Sequence, residues 1–129
     1  MFLRFVVSER HDDSDRDRGV FSALYALERK GELGVGEIEW FREAESWLNS
    51  NLPRPSRFAW SARPNAPERA LSWFKDTATL HIARVRELTA LLEHKGIPVA
   101  ELRTDKPGYV LYEDDYQVVA MPFGRETFE

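Results

Sequence analysis

Apolar residues at the start of the chain alternate as in a half-buried strand, with Leu3, Phe5 and Val7 on one face and Phe2, Arg4, Val6 and Ser8 on the other. A polar loop from Glu9 to Arg18 follows. The pattern then changes period. Val20, Phe21, Leu24 and Leu27 fall at helical spacing, and Gly31 is placed to end that helix. A second amphipathic helix is predicted from Glu37 to Asn49. Ile38, Phe41, Ala44 and Leu48 form its stripe, with Trp40 and Trp47 beside it.

Residues 50–66 break the periodicity with Pro53, Pro55 and Pro64 among serines, asparagines and arginines. This is a long Pro/Arg-rich connection, with room for a short strand at Arg57–Trp60. Beyond it the spacing predicts one long helix from Pro67 to Lys95. It opens on Asn65-Ala66-Pro67-Glu68 and closes on His94-Lys95-Gly96-Ile97-Pro98. Leu71, Phe74, Ala78, Ile82, Val85, Leu88 and Leu92 share one arc of that helix, widened by Trp73, Leu80 and Leu91.

Three strands are predicted to complete the chain, Val99–Thr104, Tyr109–Glu113 and Tyr116–Met121. Pro107-Gly108 suits the centre of a type II turn, whereas Asp114-Asp115 suits a looser one. Short connections favour an antiparallel meander. Pairing Glu113 with Tyr116 would set Leu111 opposite Val118 and Val110 opposite Val119.

The resulting expectation is an α+β fold in one domain spanning residues 1–129, ordered β-α-α-loop-α-β-β-β. Its mostly antiparallel sheet would have about four strands, with three helices mainly on one face. Residues 124–129 would fray. One sheet face would remain partly apolar, and Tyr112, Gln117 and Val119 are its candidate interface residues, with Arg4 and Arg103 nearby.

Composition narrows the chemistry. In 129 residues, 43% are hydrophobic, enough for a proper core, and four tryptophans and eight phenylalanines supply large anchors. The absence of cysteine excludes disulfides, thiolate metal sites and cysteine nucleophiles. No run reaches the ~18–20 apolar residues of a membrane span. The N-terminal apolar run is short for a signal peptide and lacks a small-residue cleavage site. These features favour a cytoplasmic setting without a membrane.

A net charge of −4 argues against wholesale nucleic-acid binding. The charge is uneven, however: residues 54–69 carry Arg54, Arg57, Arg63 and Arg69 against Glu68 alone. Arginine forks suit phosphates and carboxylates, and aromatic faces suit bases. Arg57, Trp60 and Arg63, with His81 and Arg84 of the long helix, are therefore the candidate ligand-binding set. A loop pinned by Phe58 and Trp60, with its arginines paired to surface acids, is the plainer alternative.

Other constellations are weaker. Asp13-Ser14-Asp15-Arg16-Asp17-Arg18-Gly19 resembles a calcium loop only superficially. Its glycine comes one residue late, and Leu24 stands where the bidentate acid belongs. His11, His81 and His94 lack metal-ligand spacing, and Glu113-Asp114-Asp115 reads as a solvated turn. No metal, cofactor, nucleotide loop or nucleophile elbow is indicated. The sequence leans toward a non-enzymatic interaction or regulatory domain that self-associates or binds a protein. A domain for a small anionic ligand, an enzyme or a single-stranded nucleic-acid binder, is the alternative.

Overall fold

The computed structural model describes residues 1–7, 18–53 and 70–123. The elements in order are β1 (Phe2–Val7), β2 (Arg18–Gly19), α1 (Val20–Arg29), α2 (Val35–Asn51), β3 (Leu71–Lys75), α3 (Thr79–His94), β4 (Val99–Thr104), β5 (Tyr109–Glu113) and β6 (Gln117–Met121). The polar loop at 9–17, the Pro/Arg-rich segment at 54–66, the expected helix start at 65–68 and the tail at 124–129 lie outside the described residues.

The α+β class with a mainly antiparallel sheet holds, with five strands of five or six residues plus the two-residue β2. Strands run in the order β2-β1-β3-β6-β5, and β4 pairs with β1. The resolved pairings β1–β2, β1–β3, β3–β6 and β5–β6 are antiparallel. The expected meander is therefore half right. β5 and β6 form a hairpin, but β4 leaves it for β1.

The principal correction concerns residues 71–75. The spacing of Leu71, Phe74 and Ala78 fits a helix, yet Leu71–Lys75 is a strand between β1 and β6. Leu71, Ser72, Trp73 and Phe74 stand opposite Ala120, Val119, Val118 and Gln117. A short apolar run satisfies both periodicities, and pairing along two edges decides between them here. Trp73 is 1% exposed in this interior position. The chain turns at Asp76-Thr77, and α3 starts only at Thr79.

From there the expected arc holds: Ile82, Val85, Leu88, Leu91 and Leu92 are buried. Leu80, placed at the flank of the same arc, is 69% exposed: at 100° per residue it lies about 160° from Ile82, away from the buried stripe. The glycine stops form as expected. In α1 the Gly31 N–H donates to Glu28 O and the Glu32 N–H to Leu27 O. In α3 the Gly96 N–H donates to Glu93 O and the Ile97 N–H to Leu92 O. Both are Schellman closures, with Gly31 at φ 72° and Gly96 at φ 84°. α2 starts two residues earlier than expected because Glu37 Oε1 accepts from the Gly34 N–H at 2.9 Å, the backward half of a capping box.

By their contacts the residues divide into two compact units. Residues 5–51 and 83–101 hold α1, α2 and most of α3. In this unit Phe41, fully buried, lies 6.2 Å from Phe21 and meets Tyr25 edge-on at 5.0 Å. Arg42 of α2 makes a two-pronged bond to Glu28 of α1, both contacts 2.8 Å, and lies over the Tyr25 ring. The Tyr25 hydroxyl donates to Glu45. That bond, with burial and nearby carboxylate charge, raises the phenol's pKa. Such paired charges fix the crossing of the helices more than they add stability.

Residues 1–4, 52–82 and 102–129 form the second unit, with β3, β5 and β6. Its hairpin pairs Glu113 with Val118 and Tyr112 with Val119, then Val110 with Ala120 and Tyr109 with Met121. The expected pairing of Glu113 with Tyr116 and Val110 with Val119 does not form: the register is offset by two residues at Tyr112 and Glu113 and by one beyond the irregularity beside Leu111. Leu111 and Met121 pack with Ala70.

Gly108 opens β5 at φ 135°, where an added Cβ would lie 2.1 Å from the Met121 carbonyl oxygen. Backbone, not a movable side chain, occupies that space. Gly108→Ala is therefore expected to destabilise by more than the roughly 1–3 kcal/mol of a strained backbone alone. The urea midpoint checks this, with Gly36→Ala, which meets nothing within 4 Å, as the control.

Candidate functional site

The turn between β5 and β6 gathers a dense polar network centred on Asp114. Asp114 follows the last residue of β5, so its carboxylate can fold back on the turn, as aspartates do at this position. Its Oδ1 accepts from the Tyr116 N–H at 2.8 Å and the Gln117 N–H at 3.1 Å. Its Oδ2 accepts from the Tyr112 hydroxyl at 2.8 Å and from Gln117 Nε2 at 3.1 Å. The Asp114 N–H donates to the Gln117 carbonyl at 3.0 Å and closes the loop.

Burial alone would raise the Asp114 pKa. The bonds from the Tyr116 backbone, the Gln117 and Tyr112 side chains and the Gln117 backbone outweigh it, so the carboxyl is held below its usual range. The Tyr112 phenol is pushed up, first by its bond to Asp114 and then by burial and the carboxylate charge. Gln117, 4% exposed, also sends Nε2 to the Pro53 carbonyl at 2.7 Å. Both partners are acceptors, which settles which end of the amide faces them.

Three further contacts surround this turn. His81 is buried, and its ring lies 4.5 Å from that of Tyr116 at an interplanar angle of 34°. Lys75 Nζ meets Glu113 at 2.6 Å, while the Lys75 N–H donates to the Tyr116 carbonyl. The acidic triplet is thus not simply solvated: Glu113 is paired and Asp114 is the hub of the turn. The one sequence signal for this was an aspartate at the head of a hairpin loop.

The expected ligand-binding set is only partly placed. Arg57, Trp60 and Arg63 lie outside the described residues. His81 finds Tyr116, whereas Arg84 sits with its guanidinium 5.2 Å from the Trp47 ring centre and 3.8 Å from Glu87. Among the described residues no group of three or more histidines or acids is arranged to hold a metal ion. No helix among them is long and apolar enough to cross a membrane.

The candidate interface residues need correction. Gln117 and Val119 are each 4% exposed, and Tyr112 is half-buried with its hydroxyl on Asp114. The cause is β3: once residues 71–75 form a strand, β6 becomes interior, and all five of its residues are buried. Within the hairpin, apolar exposure falls instead on Tyr109, Val110 and Tyr116, while Val35 and Leu80 are the most exposed large apolar residues among those described.

Comparison of the chain with protein-family models, curated proteins and solved structures finds no match.

Gln117→Leu keeps much of the side-chain bulk but deprives both the Pro53 carbonyl and Asp114 Oδ2 of a donor. A loss of about 1–3 kcal/mol is expected, read by chemical denaturation. Gln117→Glu should lose more, because it sets a second carboxylate against Asp114; equal stability of either variant with the wild type would show that the bridge carries nothing.

Proposed function

We propose that the chain is a non-enzymatic interaction domain that self-associates through the outer edge of the β5–β6 hairpin. The observation that carries this reading is the exposure of Tyr109 and Val110, at 38% and 46%, on the last strand of the sheet order. Adjacent residues of a strand point to opposite faces, so exposure of both is a property of the strand's rim. β6 is the strand that pairs with β5 among the described residues. Among the described residues β5 stands at the end of the strand order, the position to which a further strand can add.

A second copy suits this edge because two identical strands can pair antiparallel about a two-fold axis, each supplying the same groups to the other. The acid of β5, Glu113, is compensated by Lys75, so the approach of two edges brings no uncompensated like charges together. Tyr109, edge-on to Phe123 at 4.7 Å, adds aromatic area beside the rim. The irregularity beside Leu111 limits the straight stretch, which fits a reversible contact. A cytoplasmic setting belongs to this reading and rests on a chain without cysteine.

Light scattering coupled to size exclusion tests it across protein concentration. The wild type should show a concentration-dependent dimer, and Val110→Lys should shift it to monomer with an unchanged circular dichroism spectrum. A wild type that stays monomeric at every concentration removes self-association. Screening of phosphate-bearing ligands against Arg57→Ala and Arg63→Ala would then take up the alternative of an anion-binding domain.

A further inference from the structure

Asp114 poses a stereochemical constraint of its own. Its two oxygens are surrounded by four donors: two backbone N–H groups, a phenol and a primary amide. An ionised carboxylate accepts from all four, whereas a protonated one must itself donate from one oxygen. Oδ1 faces the N–H groups of Tyr116 and Gln117, neither of which can become an acceptor. At Oδ2 the Gln117 amide nitrogen cannot accept either. Among the described residues the acceptor a proton there would meet is the Tyr112 oxygen, and Tyr112 must then surrender its own donation; otherwise the proton turns to water at this half-exposed carboxyl. Protonation thus removes the charge that strengthens all four bonds and sets a proton among the donors at Oδ2.

We infer that the Asp114 carboxylate is an acid-sensitive latch, whose charge closes the β5–β6 turn and, through Gln117, ties that turn to the backbone at Pro53. Protonation opens the turn locally while the interior pairing of β6 with β3 persists. The lowered pKa of Asp114 fixes the sign. A carboxyl whose folded value is depressed contributes stability that is complete above its unfolded value, about 3.9, and is lost as pH falls through the folded one. The other titratable groups at this turn are Tyr112 on β5, the Glu113–Lys75 pair, Asp115 in the loop, and His81 of α3 against Tyr116. Of these, Glu113 and Asp115 are the other carboxyls, and they are the necessary controls.

Amide hydrogen exchange read by NMR, expressed as protection factors so that the intrinsic pH dependence cancels, tests the latch at pH 6 and pH 3. In the wild type, protection of the Tyr116 and Gln117 amides should fall several-fold at pH 3, within the roughly ninefold ceiling set by an unfolded carboxyl value of about 3.9. Protection at Val118, Val119 and Ala120 should change much less. Asp114→Asn should show low protection at both pH values, whereas Glu113→Gln and Asp115→Asn should retain the wild-type fall. Equal protection at both pH values, a uniform loss along β6, or a fall lost in Glu113→Gln or Asp115→Asn would each overturn the proposal. If Asp114→Asn does not fold, the wild type and the two control variants still decide it.

Discussion

Strand β6 has a neighbour on each edge and no exposed residue, and the rest of its unit is arranged around that fact. A strand buried on both faces must satisfy its backbone groups by pairing along both edges, since water is not there to do it. β5 supplies one edge through a short hairpin. The other must come from a distant segment, and residues 71–75 supply it. That requirement explains why a stretch with helical spacing is extended. It also explains why Trp73, opposite Val118 and 1% exposed, is among the largest fully buried side chains. Helix propensity is a weak local preference beside two ladders of hydrogen bonds and a tryptophan removed from water.

The same constraint reaches the polar residues. With β6 interior, Gln117 at its first position is drawn inside, and a buried amide is tolerated only when its donors are used. Pro53 and Asp114 use them. Asp114 in turn organises a loop that lacks the glycine of a tight hairpin. Side chain replaces backbone as the closing element. Tyr112 and Gln117, candidates for an interface, are here occupied in holding the turn, and the hairpin's exposed apolar area lies at Tyr109, Val110 and Tyr116.

The local signals that proved readable share one property: they depend on residues within a few positions of each other. The glycine closures at Gly31 and Gly96, the stripe of Phe41, Ala44 and Leu48, and the limits of Val99–Thr104 and Tyr109–Glu113 are all of this kind. The misread features are those in which one segment depends on another far along the chain. Leu71–Lys75 needed β1 and β6, β4 needed β1, and Gln117 needed Pro53. For the candidate site, a buried histidine at position 81 was legible from its place on the helical arc, but its Tyr116 partner was not.

The sequence by itself determined the α+β class, the two glycine-closed helices and the β5–β6 hairpin, because capping, periodicity and turn chemistry are short-range properties. Only the tertiary structure decided that residues 71–75 are a strand, that β6 is interior, and which side chains of the hairpin reach the surface. Those outcomes follow from the pairing of distant edges, whose energy no local window of sequence contains.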